Sequence, residues 1–380
     1  MTRVYDNWDR LVGATLLREE LRLIAQRTPS HISSASPSPS STSSSSSSSL
    51  ARKSFTYGQI LQATHNLSSS NLIMAGLTGD LYTGVLEGRI RVVVKKVHSS
   101  FTKEDFYLKQ ELLFYSKVTH PRFVPLLGHC LENEMHKFLV YKFMPRMDLY
   151  SFWFKKAVQS HNDDCLDWLS WDKRLKIARG VAEGLDYLHH KCDPPLVHRN
   201  IDAGGILLDD NFEARLGRLN QVCTEVKETN RNKVARFLQL TKDSEKRSPG
   251  TSEATCAFDV FCFGKLLLEL VTGKLNFRPP NFPIMKDDTM ANTLSYITSL
   301  DKKLIGSIVD RSLIIDEELL MEVWAIAFVA KACLDPKPSK RPELSFILEA
   351  LHNPMTVVTS NFLRWPSRRK GKNTQKTEGR

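Results

Sequence analysis

The residues with the clearest potential for chemistry in the first third of the chain are two glycines, a lysine and a glutamate. Gly76 and Gly79 lie in the run MAGLTG at residues 74–79. Glycine lets a backbone approach a phosphate group closely, whereas a bulky side chain blocks that approach. Lys95 and Glu111 follow at distances along the chain that would allow an ion pair near such a loop. Taken alone, the two glycines predict a strand turn more readily than a nucleotide clamp.

A second group of polar residues lies in the middle of the chain. The run HRNIDAGG occupies residues 198–205, and ARLGRLN occupies residues 214–220. Asn200 carries an amide, which cannot accept a proton as a general base. Gly205 has no side chain to offer a metal ion, and Arg218 is a permanent cation. These residue types do not suit acid–base or metal chemistry.

Composition and charge indicate which classes of protein this chain can belong to. The chain has 380 residues, 41% of them hydrophobic, and a net charge of +11 from 53 Lys+Arg against 42 Asp+Glu. These values are ordinary for a globular protein, and the positive excess favours contact with phosphate-rich surfaces. The charge lies mainly at the two ends and no recognition motif occurs, so we expect no nucleic-acid partner. The seven cysteines form no CxxC pair, which favours a reducing, cytoplasmic setting.

The N-terminal region divides into two segments. Residues 1–32 form a basic amphipathic segment, and apolar residues at spacings of three and four predict a helix over residues 8–27. Arginines flank the apolar stripe, so this helix could lie on an acidic membrane surface or pack against the main domain or a partner. Residues 33–53 are rich in serine and predict a flexible linker, because such a segment cannot bury apolar area.

One folded domain is predicted over residues 54–354, followed by a basic tail over residues 355–380. Short strands are predicted at residues 81–86, 91–97 and 138–143. Helical spacing follows at residues 174–189, 261–271 and 319–333. This order predicts an α+β protein with a small β-rich N-lobe to about residue 143, a larger α-helical C-lobe from about residue 144, and a cleft between them. No stretch approaches the ~18 to 20 apolar residues of a membrane helix.

Several short segments of this domain occur, in the same order, in one known family. They are FTYGQILQAT (55–64), LGHCLE (127–132), LVYKFM (139–144), YLHH (187–190), VHR (197–199), DVFCFG (259–264), LELVTGK (268–274) and KRP (340–342). Together they resemble the cytoplasmic kinase domains of plant leucine-rich-repeat receptor-like kinases over about four-fifths of the chain. The resemblance implies a bilobal protein-kinase fold.

The resemblance also gives the N-lobe residues their expected roles. Active protein kinases cover the phosphates with a GxGxxG loop and place a lysine, paired with a helix glutamate, beside them. Gly76 and Gly79 match the second and third glycines of that loop, and Met74 replaces the first. Lys95 and Glu111 match the lysine and the glutamate. The resemblance therefore implies a residual nucleotide site in the N-lobe.

The positions that match the catalytic machinery are degenerate. Active members read HRDxKxxN in the catalytic loop and DFG at the metal motif. Asn200 replaces the aspartate that accepts the substrate proton, and Asp202 replaces the lysine that steadies the transferring phosphate. Gly205 replaces the metal-holding asparagine, and Arg218 replaces the magnesium-binding aspartate. We predict no intact catalytic residue and no metal site.

The residues that match structural positions of the family are mostly kept. His198 remains in the catalytic loop, and Asp259 resembles the aspartate that braces its backbone. Leu219 stands where a phenylalanine would stack. Arg341 resembles the arginine that ties down the end of the activation segment, but the Ala-Pro-Glu partner is missing and Glu245 lies two residues out of register.

This pattern predicts a pseudokinase. We expect a signalling scaffold or regulator that binds active receptor-like or cytoplasmic protein kinases in the cytoplasm, at the inner face of the plasma membrane. The alternative is a Ser/Thr protein kinase with non-standard ATP-dependent phosphotransfer, in which Asp202 or another carboxylate acts as a substitute base. Family members carry an extracellular repeat region and a membrane helix before this module. The sequence contains neither, which leaves two interpretations open: a truncated or soluble relative, or a fragment of a longer gene product.

No cofactor is required under this interpretation. Lys95 and Arg218 could engage phosphates, whereas Asp202 would repel them and Val93, in place of the family's alanine, would crowd a purine ring. We expect ATP binding to be weak, and any that remains to be independent of magnesium.

Overall fold

The computed structural model of the chain describes residues 53–76, 79–98, 104–132, 136–153, 169–225, 255–275, 288–313 and 315–359. Several sequence predictions lie outside these residues. They are the helix over residues 8–27, the serine-rich linker except for Lys53, Glu245, and the tail beyond residue 359.

The N-lobe is built on a six-stranded sheet. Its strands are β1 (Lys53–Ser54), β2 (Leu72–Met74), β3 (Asp80–Leu86), β4 (Ile90–Val97), β5 (Leu126–Cys130) and β6 (Lys137–Lys142). They lie in the order β1-β5-β6-β4-β3-β2, with β1 parallel to β5 and the other neighbours antiparallel. Side chains alternate between the faces of a strand, so Val92 and Val94, both fully buried, share one face of β4 while Val93 and Lys95 share the other.

Two helices flank this sheet. Helix α1 (Tyr57–Ala63) begins at a capping box, in which the Thr56 hydroxyl accepts from the Gln59 amide and the Gln59 side chain accepts from the Thr56 amide. It packs against β3. Helix α2 (Glu104–Lys117) carries Glu111 and packs against the short 3₁₀ turn Leu219–Gln221. The contact brings the N-lobe helix onto the segment that follows Arg218.

The C-lobe is mostly helical. Its helices are α3 (Trp171–Asp186), α4 (Cys256–Thr272), α5 (Asp288–Ser295), α6 (Glu317–Cys333), α7 (Leu344–His352) and α8 (Met355–Thr359). Two short antiparallel pairs lie beside them, β7 (Leu196–Val197) with β10 (Cys223–Thr224) and β8 (Ile206–Leu208) with β9 (Ala214–Leu216). Helices α4 and α6 pack on each other in the core, where Phe263, Leu267, Trp324 and Ala327 are fully buried. This helical core supports the loops around β7–β9.

The structure confirms the bilobal α+β fold and the predicted elements, with boundaries that differ by one to five residues. The helix predicted from residue 174 begins at Trp171, and the helix predicted from residue 261 begins at Cys256. The predicted domain end at residue 354 is too early, because α8 follows it and its Val357 is only 1% exposed. Lys53 belongs to β1 and not to the linker. None of the helices within the described residues has the length and apolar character needed to cross a membrane.

Candidate functional site: a kinase-type cleft

The N-lobe side of the cleft contains the expected ion pair. Lys95 Nζ lies 3.0 Å from Glu111 Oε2, with the two side chains 13% and 4% exposed. The Tyr141 hydroxyl donates a 2.7 Å hydrogen bond to the other carboxylate oxygen, Oε1. Burial, followed by the nearby Glu111 charge, raises the pKa of Tyr141 well above its ordinary value. Glu111 thus links β4, α2 and β6 through contacts of both its oxygens.

The glycines of the phosphate-loop position form a tight turn. Gly79 donates to the Gly76 carbonyl at 3.3 Å and has a φ of 144°. A Cβ atom at Gly79 would lie 2.4 Å from the carbonyl oxygen of Lys96. The sheet itself therefore requires glycine here, and the turn interpretation accounts for Gly79 without a nucleotide. A phosphate contact at Gly76 and Gly79 stays a prediction.

One buried carboxylate accepts hydrogen bonds from the backbone of the catalytic loop. Asp259 on α4 is fully buried and accepts 2.7 Å hydrogen bonds from the amides of His198 and Arg199. His189 Nε2 lies 2.9 Å from the same carboxylate. Arg199 has a left-handed φ of 68°, and its own amide is one of the two that these bonds hold. Asp259 has the bracing contacts that were expected of it.

His198 is a structural residue of this loop. Its side chain is buried, with Nε2 3.1 Å from the Gly217 carbonyl and Nδ1 3.3 Å from the Asn200 amide. An Nδ1 that accepts and an Nε2–H that donates describe the neutral imidazole. Burial, the main cause, lowers the pKa of His198. His198 joins the catalytic loop to the residue that precedes Arg218.

The two residues of exchanged charge are brought together. Arg218 Nη1 lies 2.5 Å from Asp202 Oδ2, and the side chains are 39% and 49% exposed. Asp202 Oδ1 accepts a further 2.9 Å hydrogen bond from the Gly205 amide, at the start of the 3₁₀ turn Ala203–Gly205. Arg218 itself has a left-handed φ of 55°. Asp202 thus lies against a cation of its own chain, and the expected repulsion of phosphate by Asp202 stays a prediction.

Glycine at two positions makes room for this arrangement. A Cβ atom at Gly204 would lie 2.6 Å from Arg218 Nη2, and a Cβ atom at Gly205 would lie 3.4 Å from Arg218 Cδ. The arginine side chain thus lies across the two glycines. It takes up the space in which an asparagine at residue 205 would have to fit.

The donor set does not fit magnesium. Mg²⁺ takes oxygen ligands in octahedral geometry and is commonly held by carboxylates. Here Arg218 offers only donors, Gly205 offers no side chain, and both oxygens of Asp202 already accept hydrogen bonds. Within the described ranges, no three His, Cys, Asp or Glu side chains are grouped to hold a metal ion. We therefore assign no step to a metal.

Two structural residues of the family are accommodated in different ways. Leu219 is fully buried in the turn that packs on α2, so the apolar replacement fills the expected space. Arg341 donates through Nη1 to the Ala257 carbonyl at 2.7 Å and through Nε to the Asp335 carbonyl at 2.9 Å. Backbone carbonyls at the start of α4 and after α6 thus bind Arg341, and Glu245 lies outside the described residues.

Two functional contacts were not foreseen from the sequence. Tyr141, in the run LVYKFM, gave no signal beyond the resemblance, because a hydroxyl reaching α2 depends on the packing of two separate elements. The pairing of Asp202 with Arg218 did leave a signal, since two positions that are neighbours in the family exchanged the signs of their charges.

The comparisons with known proteins agree with this geometry. A family model described as protein tyrosine and serine/threonine kinase matches residues 67–351. The chain belongs to the protein kinase family, and its relatives place it among the receptor-like kinases.

Two of the most similar relatives are leucine-rich-repeat receptor kinases of Arabidopsis thaliana. The probable LRR receptor-like serine/threonine-protein kinase At2g16250 is 49% identical over 305 residues, which are 80% of this chain and 33% of the relative. Leucine-rich repeat receptor protein kinase EMS1 is 34% identical over 301 residues, or 77% of this chain and 24% of the relative. The chain therefore spans a third or less of the length of these curated relatives.

Proposed function

We propose that the chain is a receptor-like pseudokinase that acts as a signalling scaffold or regulator of active protein kinases. The observation that carries the proposal is the ion pair between Asp202 and Arg218. It places a carboxylate where active kinases have a phosphate-steadying cation, and a cation where they have a metal-binding carboxylate. Phosphoryl transfer depends on the opposite arrangement of charge.

The loss of the catalytic base supports the same proposal. General-base catalysis is typically worth ~10²- to 10⁴-fold in rate. The amide of Asn200 cannot take up a proton, and neither Gly205 nor Arg218 offers a ligand for a metal that would neutralise charge on the phosphoryl group. Each of these losses lowers the rate by a separate mechanism.

A second candidate function is a protein kinase of non-standard mechanism. The intact Lys95–Glu111 pair favours it, because that pair is the part of an active site that engages the nucleotide phosphates. Asp202 would be the substitute base. Its oxygens already accept hydrogen bonds from the Gly205 amide and from Arg218, so a substrate hydroxyl would have to compete with both donors.

The proposed partners are active receptor-like or cytoplasmic protein kinases. Contacts that maintain the kinase fold are kept, among them those of Asp259 and Glu111, while the groups that support chemistry are replaced. A kept fold with a lost reaction suits a binding role toward other kinases. The basic segment at residues 1–32 would add contact with the acidic inner face of the plasma membrane.

Phosphotransfer and regulation can be tested together on the full chain. Incubation with labelled ATP and Mg²⁺ or Mn²⁺ should give no more autophosphorylation than a Lys95→Ala control. Addition of the unlabelled full chain to an active receptor-like kinase should change that kinase's rate, and addition of a chain lacking residues 1–32 to vesicle-bound kinase should change it less. Lys95-dependent incorporation of phosphate would overturn the proposal in favour of the second candidate.

A further inference from the structure

We infer that the phosphate end of this cleft is an anion site that excludes magnesium. In this site the Asp202 carboxylate pairs with Arg218 until the phosphate of a metal-free nucleotide or polyphosphate replaces it. The assignment rests on the proposed function in one respect, since a site that takes metal-free phosphate cannot support ordinary phosphotransfer. It adds a ligand class and a competing internal group to that function.

The space available at the metal position is filled by protein. The side chain of Arg218 lies across Gly204 and Gly205, at the distances that a Cβ atom on either glycine would contact. The backbone on both sides is fixed, since Gly217 donates to the Gly205 carbonyl at 2.8 Å and the Gly217 carbonyl meets His198 Nε2. Arg218 therefore holds a defined place.

The charge at this place excludes a divalent cation. The guanidinium stays protonated at every pH at which proteins are folded, and it repels Mg²⁺ at short range. The ordinary nucleotide ligand of a kinase is a magnesium complex. In this cleft the metal-free form of the nucleotide has the complementary charge.

The arginine also has hydrogen-bonding capacity left for a ligand. A guanidinium carries five N–H donors, and a phosphate accepts two of them side by side. Among the described residues, Asp202 is the hydrogen-bond partner of the Arg218 side chain, and 39% of that side chain is exposed. Donors on the remaining nitrogens can meet an anion that enters the cleft.

Asp202 acts as the internal competitor for those donors. Its carboxylate is anchored through Oδ1 to the Gly205 amide, so it stays beside Arg218 at no further cost in side-chain entropy. The pair is nevertheless exposed on both sides, and exposed ion pairs are weak in water. A phosphate dianion with two acceptor oxygens can therefore displace a single carboxylate oxygen. Removing the charge at residue 202 should strengthen phosphate binding.

The test compares two ligands, ATP and inorganic tripolyphosphate, by calorimetry on the full chain in EDTA and in millimolar Mg²⁺. Asp202→Asn should tighten the binding of both ligands in EDTA by about tenfold, and Arg218→Met should weaken it by a similar factor, since charge-assisted hydrogen bonds are of that size. Mg²⁺ should weaken binding to the unmodified chain. Tighter binding of ATP than of tripolyphosphate identifies a nucleotide site, and equal binding identifies a site for free polyphosphate.

Matched variants exclude non-specific effects of charge. Arg311→Met and Glu87→Gln remove exposed charges elsewhere, and neither should change the affinity. Thermal unfolding without ligand shows whether each variant is folded, and Arg218→Lys, which keeps the charge without the fork, should fall between the unmodified chain and Arg218→Met.

Three results would overturn the inference. They are binding that is strengthened by Mg²⁺, an Asp202→Asn variant with unchanged or weaker affinity, and the absence of binding of both ligands to every variant. These results leave the pseudokinase proposal standing, because that proposal is tested by phosphate incorporation and by the effect of the chain on an active kinase.

Discussion

At the scale of single residues, Glu111 is the residue on which the N-lobe half of the cleft depends. Each of its carboxylate oxygens has one partner, Lys95 on β4 and Tyr141 on β6. The side chain is almost fully buried, so losing a partner exposes the carboxylate to an apolar surrounding. The position of α2 relative to the sheet is fixed by this carboxylate.

Tyr141→Phe is expected to lower the free energy of unfolding by about 1.5 to 3 kcal/mol, because a hydrogen bond to a buried charged group is lost. Chemical denaturation of the full chain measures the change. Tyr115→Phe is the matched control, since its hydroxyl donates at 2.5 Å to the neutral carbonyl of Val124. A larger loss for Tyr115→Phe than for Tyr141→Phe would contradict the role given to Glu111.

The sequence allowed most cleft residues and the Lys95–Glu111 pair to be predicted, but not the pairing of Asp202 with Arg218. Lys95 and Glu111 were assigned from the motifs around them, and the structure joins them. Asp202 was expected to repel phosphate because its charge was considered alone. The Arg218 side chain that compensates it comes from another segment, and only the closed backbone around Gly217 brings the two within hydrogen-bonding distance.

At the scale of elements, α3 approaches its neighbours through glycines. A Cβ atom at Gly184 would lie 2.6 Å from Leu216 Cδ1 and 3.3 Å from Arg122 Cβ. Arg122 in turn forms ion pairs with Glu183 on α3 and with Glu213, just before β9. Glycine lowers the helix propensity at residue 184, but it allows this close packing.

Gly184→Ala is expected to destabilise the chain by about 1 to 3 kcal/mol, because overpacking outweighs the gain in helix propensity. The control is Gly58→Ala in α1, where the nearest atom would be 3.9 Å from the added Cβ and the residue is exposed. That change should stabilise by up to about 0.5 kcal/mol. In thermal unfolding, the midpoint should fall for Gly184→Ala and rise for Gly58→Ala. Equal shifts would show that the neighbours of α3 can move to accommodate a side chain at residue 184.

The elements themselves were predictable where their apolar spacing was regular. Helices α4 and α6 were placed within five residues, since buried positions recur from Asp259 to Thr272 in α4 and from Val323 to Cys333 in α6. Their first turns were missed because caps set the starts, Thr255 for α4 and Asp316 for α6, and such residues carry no apolar signal. Helix α8 was missed because it is only five residues long.

At the scale of the whole molecule, one buried and one partly buried histidine make stability depend on pH. Burial lowers the pKa of His198, and burial with the Arg122 charge lowers the pKa of His120. An unfolded histidine titrates near pH ~6.5. Below that pH the unfolded chain binds more protons than the folded chain, so stability is lost as the pH falls. The lowered pKa of Glu213, next to Arg122 and Lys176, adds a further loss in more acidic solution, near the ordinary titration range of carboxylates.

The free energy of unfolding should therefore decrease between pH 7 and pH 5, by at most about 1.4 kcal/mol per pH unit for each histidine. His198→Gln should reduce this slope even though it lowers stability at pH 7, because the group that takes up the proton is gone. His352→Gln, at an exposed position at the end of α7, should leave the slope unchanged. A slope that is the same in all three chains would exclude His198 as its source.

The exchange of signs between Asp202 and Arg218 has a consequence for the history of the sequence. Returning only residue 202 to lysine would set two cations side by side, and returning only residue 218 to aspartate would set two carboxylates side by side. Like charges ~4 Å apart repel by about 1 kcal/mol in water and up to about 4 kcal/mol near a protein surface. Either single substitution thus replaces an attraction by a repulsion. Neither restores a base at residue 200 or an asparagine side chain at residue 205. Under the proposed function, the Asp202–Arg218 pair would therefore hinder a return to phosphotransfer by one substitution at a time.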